Sequence, residues 1–125
     1  MTDLVLLEVA TGIATLTLNR PEKRNAMNDE MRTQFIISLE RVAADTAIRA
    51  LVLTGAGKGF CAGGDISGMQ QRMQAPAGEI AFAGWHRQQR VHRAQMLLHS
   101  LPKPVIAAVN GVCAGAGLHF IADCN

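Results

Sequence analysis

Two glycine-rich stretches have the residue types and the spacing that a catalytic site could use. The first covers residues 60–66 (FCAGGDI) and the second residues 110–117 (NGVCAGAG). Each follows an apolar run, 51–54 or 105–109, that is expected to be a buried strand. Glycine permits positive φ and close approach to the backbone, so N–H groups can be aimed at an anion. Two such turns could direct one N–H each at a single oxygen that becomes negative during a reaction. The alternative is that the glycines serve only the tight packing of strand against helix.

Polar side chains near these stretches are the next candidates. His119 follows the second stretch. A neutral imidazole suits a base near pH 7, although a histidine on an apolar helix is more often a hydrogen-bonded core residue. Asp65 could orient the first turn, but we favour a helix cap that accepts backbone N–H groups. The pair Lys23-Arg24 suits phosphate groups, with a solvated charged turn as the alternative. His86, beside Trp85, is a second possible acid or base, but we favour an exposed helix residue.

Composition excludes several classes of function. The chain has 125 residues, which suits one domain, and its net charge of +2 is too small for nucleic acid to be a main partner. Four Phe, one Trp and no Tyr give little support for base stacking. Three cysteines, an odd number in apolar or glycine-rich surroundings, favour reduced intracellular thiols over disulfides or a metal site. No signal peptide is visible, and polar residues within 105–122 favour a strand, turn and helix over a membrane span.

The first part of the chain predicts a β-hairpin followed by a β-α-β unit. Residues 4–9 and 13–18 are β-rich runs on either side of a short glycine-containing loop. An amphipathic helix is expected over 28–44, with Asn28 as its N-cap. The next strand is expected at 49–54, parallel to the strand before the helix across a right-handed crossover.

The rest of the chain predicts a lid, a long helix, a strand and a final helix. Residues 69–78 lack a clear period and are expected to form a mobile lid. A helix over 79–101 should end before a pair of prolines and lead to the strand at 105–109. From about residue 117 to 125 an apolar helical pattern runs without a C-cap, which predicts that the chain is part of a longer domain.

Three motifs together resemble those of the crotonase superfamily, the enoyl-CoA hydratases and isomerases. They are residues 18–28 (LNRPEKRNAMN), 60–66 and 110–117, in the family's order, and the resemblance extends over essentially the whole chain. It implies an α/β fold of the crotonase-like (ClpP/crotonase) kind, a spiral of β-β-α units in two nearly perpendicular sheets. Residues 1–125 would be the N-terminal part of a single such domain whose remainder is absent.

The resemblance also implies an activity and its partners. The expected protein is a cytoplasmic hydratase, isomerase or lyase of fatty acid metabolism that forms a homotrimer or hexamer. Its substrate would be an acyl-CoA thioester, and coenzyme A would enter as part of that substrate rather than as a separate cofactor. No metal, nucleic acid or membrane partner is implied.

Single residues acquire roles from the same resemblance. The backbone amides of Gly64 and Ala116 would hold the thioester oxygen as it becomes an enolate. The residues expected to contact the acyl-CoA are Lys23, Arg24 and Ala26 along the phosphates and pantetheine, Ala62 and Ile66 at the adenine, and Asp65 beside the turn.

The acid–base pair of the family is where this sequence departs from the pattern. Hydration in the family uses two glutamates. His119 stands where the first belongs, and the second would lie beyond Asn125. We therefore keep His119 as the candidate proton-transfer residue. The alternative is a non-catalytic acyl-CoA-binding or oligomerisation module that has lost its acid–base pair.

Overall fold

The fold contains two sheets, and the smaller one leads into both glycine stretches. The structure, a computed structural model, describes residues 3–125. Its four-stranded sheet has the order β1-β2-β3-β5, and β4 pairs with β6 in a two-stranded sheet. The elements in chain order are β1 (Val5–Ala10), β2 (Ile13–Leu18), a 3-10 turn (Pro21–Lys23), α1 (Asp29–Ala44), β3 (Ala50–Gly55), β4 (Gly59–Cys61), α2 (Ile66–Met73), α3 (Ala77–His99), β5 (Val105–Ala107), β6 (Val112–Cys113) and α4 (Ala116–Asp123).

The first three strands form the predicted hairpin and β-α-β unit. β1 and β2 pair antiparallel, with Ala10 opposite Ile13. The two connecting residues, Thr11 and Gly12, have φ of 52° and 80°. Positive φ at both central residues matches the twist of the paired strands. β2 pairs parallel with β3, as a crossover through a helix permits. Both predictions are confirmed, although β1 and β3 each begin one residue later than the sequence pattern indicates.

A cap and an apolar face define α1. The Asn28 side chain accepts a hydrogen bond from the Met31 N–H (2.8 Å), which confirms the predicted N-cap. Helical spacing brings the apolar side chains to one face, and that face joins the inward residues of the strands in one core. The buried apolar residues of α1 are Met31, Phe35, Ile36, Leu39 and Val42.

Two short strands, β4 and β6, are not predicted by the sequence pattern, and each of them overlaps one of the glycine stretches. β4 follows β3 and includes the first two residues of the first stretch, so that stretch does not follow the 51–54 strand directly. β6 lies inside the second stretch, because β5 ends at Ala107 rather than at residue 109. Strands of three and two residues are too short to display a period of two.

Residues 69–78, expected to form a mobile lid without a regular period, are mostly helical. α2 occupies Ile66–Met73, and α3 begins at Ala77, two residues before the predicted start. α2 has eight residues and none of them is buried. Ile66, Met69 and Met73 share one face of it, but so short a stripe does not identify a helix in the sequence. α3 ends at His99, before both prolines as predicted.

Helices α1, α3 and α4 meet around the core. α3 packs against both α1 and α4. The rings of Phe35 in α1 and Phe120 in α4 lie 5.0 Å apart between centroids, and Leu98 is the largest buried apolar side chain of α3. This packing fixes the start of α4, where the second glycine stretch ends. Within residues 3–125 no helix is both long and apolar enough to cross a bilayer.

Candidate active site

The two glycine stretches are neighbours in space. β4 pairs with β6, and the Ala114 N–H donates to the Cys61 carbonyl (3.1 Å). Gly63 and Gly115 have φ of 105° and 52°, values at which an L side chain is strained. A Cβ added to Gly63 would lie 3.7 Å from the backbone nitrogen of Ala116. The sequence therefore uses glycine where one turn approaches the other.

Hydrogen bonds on both sides of Gly64 turn its own N–H away from Met27. The Met27 N–H donates to the Gly63 carbonyl (2.8 Å), and the Asp65 N–H donates to the Met27 carbonyl (2.9 Å). These two bonds make Gly64 and Met27 partners in an isolated parallel bridge, in which the N–H of the central residue points to the opposite side. That N–H has no backbone acceptor among residues 3–125.

The Ala116 N–H is free for a different reason. Ala116 is the first residue of α4, and the first N–H groups of a helix have no carbonyl one turn earlier to bind. No backbone acceptor for it exists in the part of the chain that the structure describes. The aligned peptides of α4 add a positive partial charge at this end.

Gly64 and Ala116 line the same cavity, which has a volume of about 540 Å³. This is within the range of small-molecule sites. His119 lines it as well, so the structure brings the three predicted catalytic residues to one cavity. The complete lining is Arg32, Gly64, Met69, Arg87, Val91, Gln95, Gly115, Ala116, Leu118, His119 and Ala122.

A second cavity, of about 470 Å³, gathers most of the predicted substrate-binding residues. Its lining is Lys23, Ala26, Ala62, Gly64, Asp65, Ile66, Ser67 and Gln70. Arg24 does not line it. The Arg24 carbonyl accepts a hydrogen bond from the N–H of Ala62 (3.0 Å), so the Arg24 backbone holds a residue that does line the cavity. Gly64 is common to both cavities and marks their junction.

Asp65 is the N-cap of α2, the role that the sequence favours. One carboxylate oxygen accepts from the Ser67 N–H (2.9 Å) and from the Ser67 hydroxyl (2.6 Å). The other accepts from the Arg20 guanidinium (2.6 Å). The two Ser67 bonds, followed by the Arg20 bond, lower the pKa of Asp65 to about 2. The carboxylate stays ionised and holds the first turn in position.

The two singled-out histidines differ in where they lie. His119 is exposed at the cavity, and its side chain has no hydrogen-bond partner among residues 3–125. In this chain the alternative of a hydrogen-bonded core histidine is therefore wrong. His86 is exposed on α3, as expected, with its ring edge-on to Phe82 (4.5 Å between centroids). It lines neither of the two cavities.

Comparison with known proteins decides the family. The model of the family described as enoyl-CoA hydratase/isomerase matches residues 8–125. The chain belongs to the enoyl-CoA hydratase/isomerase family. The crotonase resemblance of the three motifs is thereby confirmed.

Relatives within the enoyl-CoA hydratase/isomerase family catalyse different reactions. The chain is 47% identical over 117 residues to 1,2-epoxyphenylacetyl-CoA isomerase of Escherichia coli (strain K12), covering 94% of this chain and 44% of that one. It is 38% identical over 112 residues to mitochondrial Delta(3,5)-Delta(2,4)-dienoyl-CoA isomerase of Rattus norvegicus, covering 86% and 34%. The crystal structure of an enoyl-CoA hydratase/isomerase from Xanthobacter autotrophicus Py2 superposes with a TM-score of 0.87 at 28% identity, covering 100% and 45%. The chain thus spans less than half the length of these relatives.

Arg32, Arg87 and Gln95 are cavity residues that sequence reasoning missed. Arg32 is buried and follows Met31 on the apolar face of α1, so a charge among apolar helical positions was the available signal. Burial foremost, and then the charge of Arg87, lowers the pKa of Arg32. Arg87 carries no such signal, because it lies within an uninterrupted run of polar residues, 86–90, on α3.

The side chains of two asparagines, Asn25 and Asn110, hold the loop that precedes β4. The Asn25 amide donates to the carbonyls of Ala56 (3.1 Å) and Gly59 (2.9 Å). The Asn110 amide donates to the Gly55 (2.8 Å), Gly57 (3.0 Å) and Gly59 (3.2 Å) carbonyls. Each asparagine comes from one of the family motifs, so these motifs hold β4 in register for the first glycine turn.

The cysteines are free thiols. Burial raises the pKa of Cys61, and it does the same for Cys113 and Cys124. A raised pKa keeps a thiol protonated and unreactive. Among residues 3–125 no three His, Cys, Asp or Glu side chains are grouped to hold a metal ion.

Proposed function

We propose that the whole protein is an acyl-CoA hydratase, isomerase or related lyase that stabilises the enolate of a thioester. The Gly64 and Ala116 amides would donate to the thioester oxygen as negative charge develops on it. The observation that carries this proposal is the pair of unused N–H groups on adjacent turns that line one cavity.

Backbone donors of this kind suit the chemistry because they are fixed before the reaction begins. Loss of one such donor typically costs about 3–4 kcal/mol of transition-state stabilisation. At Gly64 the two bonds to Met27 hold the peptide, and at Ala116 the positive end of α4 adds to the donor. An oxygen that gains charge at this point is stabilised more than the neutral carbonyl, which is the requirement for catalysis.

The junction of the two cavities supports a division of the substrate. Gly64 lines both cavities, so a thioester carbonyl beside it leaves room on each side. The cavity of about 470 Å³ would take coenzyme A and is called the coenzyme A cavity. The cavity of about 540 Å³ would take the acyl group and is called the acyl cavity. The coenzyme A side has the Lys23 ammonium for phosphate and apolar contacts from Ala26, Ala62 and Ile66. The substrate carries the coenzyme A, and no separate cofactor is required.

His119 is the proposed proton-transfer residue. It lines the acyl cavity with a side chain that is free to bind substrate, and an imidazole accepts and donates protons near neutral pH. An isomerase needs one group that removes a proton from one carbon and returns it to another. A single imidazole can do both. The homotrimer or hexamer and the cytoplasmic location remain predictions from the resemblance.

A proline at the start of α4 tests the oxyanion role. Proline is well tolerated at the first helical position, where its missing N–H leaves no helical bond unmade. Ala116→Pro should therefore keep the fold and lower kcat with crotonyl-CoA or a 3-enoyl-CoA by about 100- to 1000-fold. Ala77→Pro places the same substitution at the first residue of α3, outside both cavities, and should leave kcat unchanged.

Three results are informative. An Ala116→Pro protein that is folded and fully active contradicts the oxyanion role. Binding of acyl-CoA by calorimetry with no turnover of any enoyl-CoA by the unaltered protein favours the non-catalytic binding module. Absence of any acyl-CoA binding removes the proposal altogether.

A further inference from the structure

The acyl cavity is cationic, and no carboxylate of residues 3–125 lines it. Arg32 and Arg87 both line it, together with the neutral Gln95 amide and His119, and none of its lining residues is Asp or Glu. The remaining wall includes Met69, Val91, Leu118 and Ala122, which are apolar. Two guanidinium groups in a largely apolar pocket are costly unless an anion joins them.

Arg32 is poorly compensated for a buried charge. Its side chain is 4% exposed, and its ion pair is with Asp29 at 3.3 Å, whose side chain is 70% exposed. A solvated carboxylate at that distance offsets little of the desolvation of the guanidinium. Burial foremost, and then the positive charges of Arg87, Arg90 and Arg72, lower the pKa of Arg32.

Arg87 is the free member of the pair. In the part of the chain that the structure describes, it forms no ion pair or hydrogen bond. Its neighbours along α3 differ, because Arg90 donates to the Thr33 hydroxyl and Arg93 pairs with Glu40 (2.5 Å). A terminal nitrogen of Arg87 lies 3.1 Å from where a Cβ on Gly64 would be. The guanidinium therefore stands at the junction of the two cavities.

We propose that the acyl group of the substrate carries a carboxylate, which Arg87 and Arg32 bind inside this cavity. The inference rests on the proposed function, because it takes the thioester to lie at Gly64. Guanidinium groups bind carboxylates through two parallel hydrogen bonds, and these are stronger where water is excluded. The position of Arg87 beside Gly64 limits the chain to a few carbons between the thioester and the carboxylate. The apolar wall contacts those carbons.

Equilibrium binding of saturated acyl-CoA pairs tests this without turnover. The pairs are succinyl- and butyryl-CoA, glutaryl- and valeryl-CoA, and adipyl- and hexanoyl-CoA, each matched in carbon number and differing by one carboxylate. Calorimetry on the whole protein should find the carboxylated member of at least one pair bound about tenfold or more tightly. Arg87→Gln should remove that preference and leave the Kd of the uncharged member unchanged.

Arg90→Gln is the matched control. It removes one positive charge from the same helix, one turn away, at a side chain that does not line the acyl cavity. It should retain the preference. Equal affinities for both members of every pair in the unaltered protein overturn the proposal, and so does an Arg87→Gln protein that still prefers the carboxylate. If the uncharged acyl-CoA binds normally, the proposed function survives that result, and if no acyl-CoA binds, both fall together.

Discussion

At the residue scale, the Asp65 side chain links the start of α2 to the segment that follows β2. Its carboxylate caps α2 through Ser67 and at the same time binds Arg20, which follows β2. Arg20 also donates to the Ala26 carbonyl (2.9 Å), in the segment that pairs with the first glycine turn. A single ionised side chain therefore joins the two sides of the coenzyme A cavity, and its protonation should loosen both.

Stability should depend on the charge of Asp65 in acid. The folded-state pKa of about 2 lies below the ordinary value of 3.8, so its contribution is complete above pH ~4 and is lost as pH falls toward 2. Asp65→Asn keeps a good helix cap but removes the charge. It should lower the free energy of unfolding of the whole protein by about 1–2 kcal/mol at pH 7.

The measurement is denaturant unfolding of both proteins at pH 7 and near pH 3. The difference between them should shrink at the lower pH. Glu22→Gln removes one negative charge at an exposed position and controls for net charge. A difference that is the same at both pH values contradicts the assignment of stability to the Asp65 carboxylate.

Residues governed by local rules were predictable, and residues governed by packing were not. Asn28 and Asp65 could be assigned as caps because a side-chain oxygen before a helix has few other uses. Arg87 became a cavity residue only because α3 packs beside the first glycine turn, and no spacing along the chain contains that information.

At the scale of the elements, Gly117 determines how closely α4 approaches β4. A Cβ at this position would lie 2.4 Å from the Cys61 carbonyl oxygen and 2.8 Å from its Cβ. Both are fixed parts of a buried strand, so neither can rotate away. The start of α4, and with it the Ala116 N–H, therefore requires glycine one residue later.

Alanine at two helical glycines should have opposite effects. Gly117→Ala forces α4 away from β4 and should lower the free energy of unfolding by about 1–3 kcal/mol. Gly84→Ala, within α3, meets no atom within 4 Å and should raise it by about 0.5–1 kcal/mol, because glycine is the poorer helix former. Thermal unfolding of the whole protein measures both. A Gly117→Ala protein as stable as the unaltered one would refute the close approach.

Length and amphipathicity separate the elements that could be predicted from those that could not. α1 and α3 are long, and the β-hairpin and β2-α1-β3 unit followed from strand runs around a turn or a helix. The short β4 and β6 exist because each completes the other as a pair. α2 has only eight residues, and residues 69–78 contain only its last five, which are too few to show a helical period.

At the scale of the whole molecule, apolar surface lies uncovered at one end of the main sheet. β5 is the last strand in the order β1-β2-β3-β5, so one side of its backbone has no strand partner among residues 3–125. Ile106 in β5 is 57% exposed, and Val109 and Val112 follow at 46% and 50%. An apolar sheet edge of this kind pairs readily with other chains.

The 125-residue chain on its own should therefore self-associate through β5. Sedimentation velocity over a concentration series should show species larger than the monomer, and Ile106→Lys should shift the distribution toward the monomer, because a charge on an edge strand opposes pairing. Ile37→Lys is the control, since Ile37 is equally exposed at 59% but lies on α1. If the two lysine variants behave alike, general surface apolarity rather than the sheet edge drives association. A purely monomeric unaltered chain would show that the β5 edge is protected in solution.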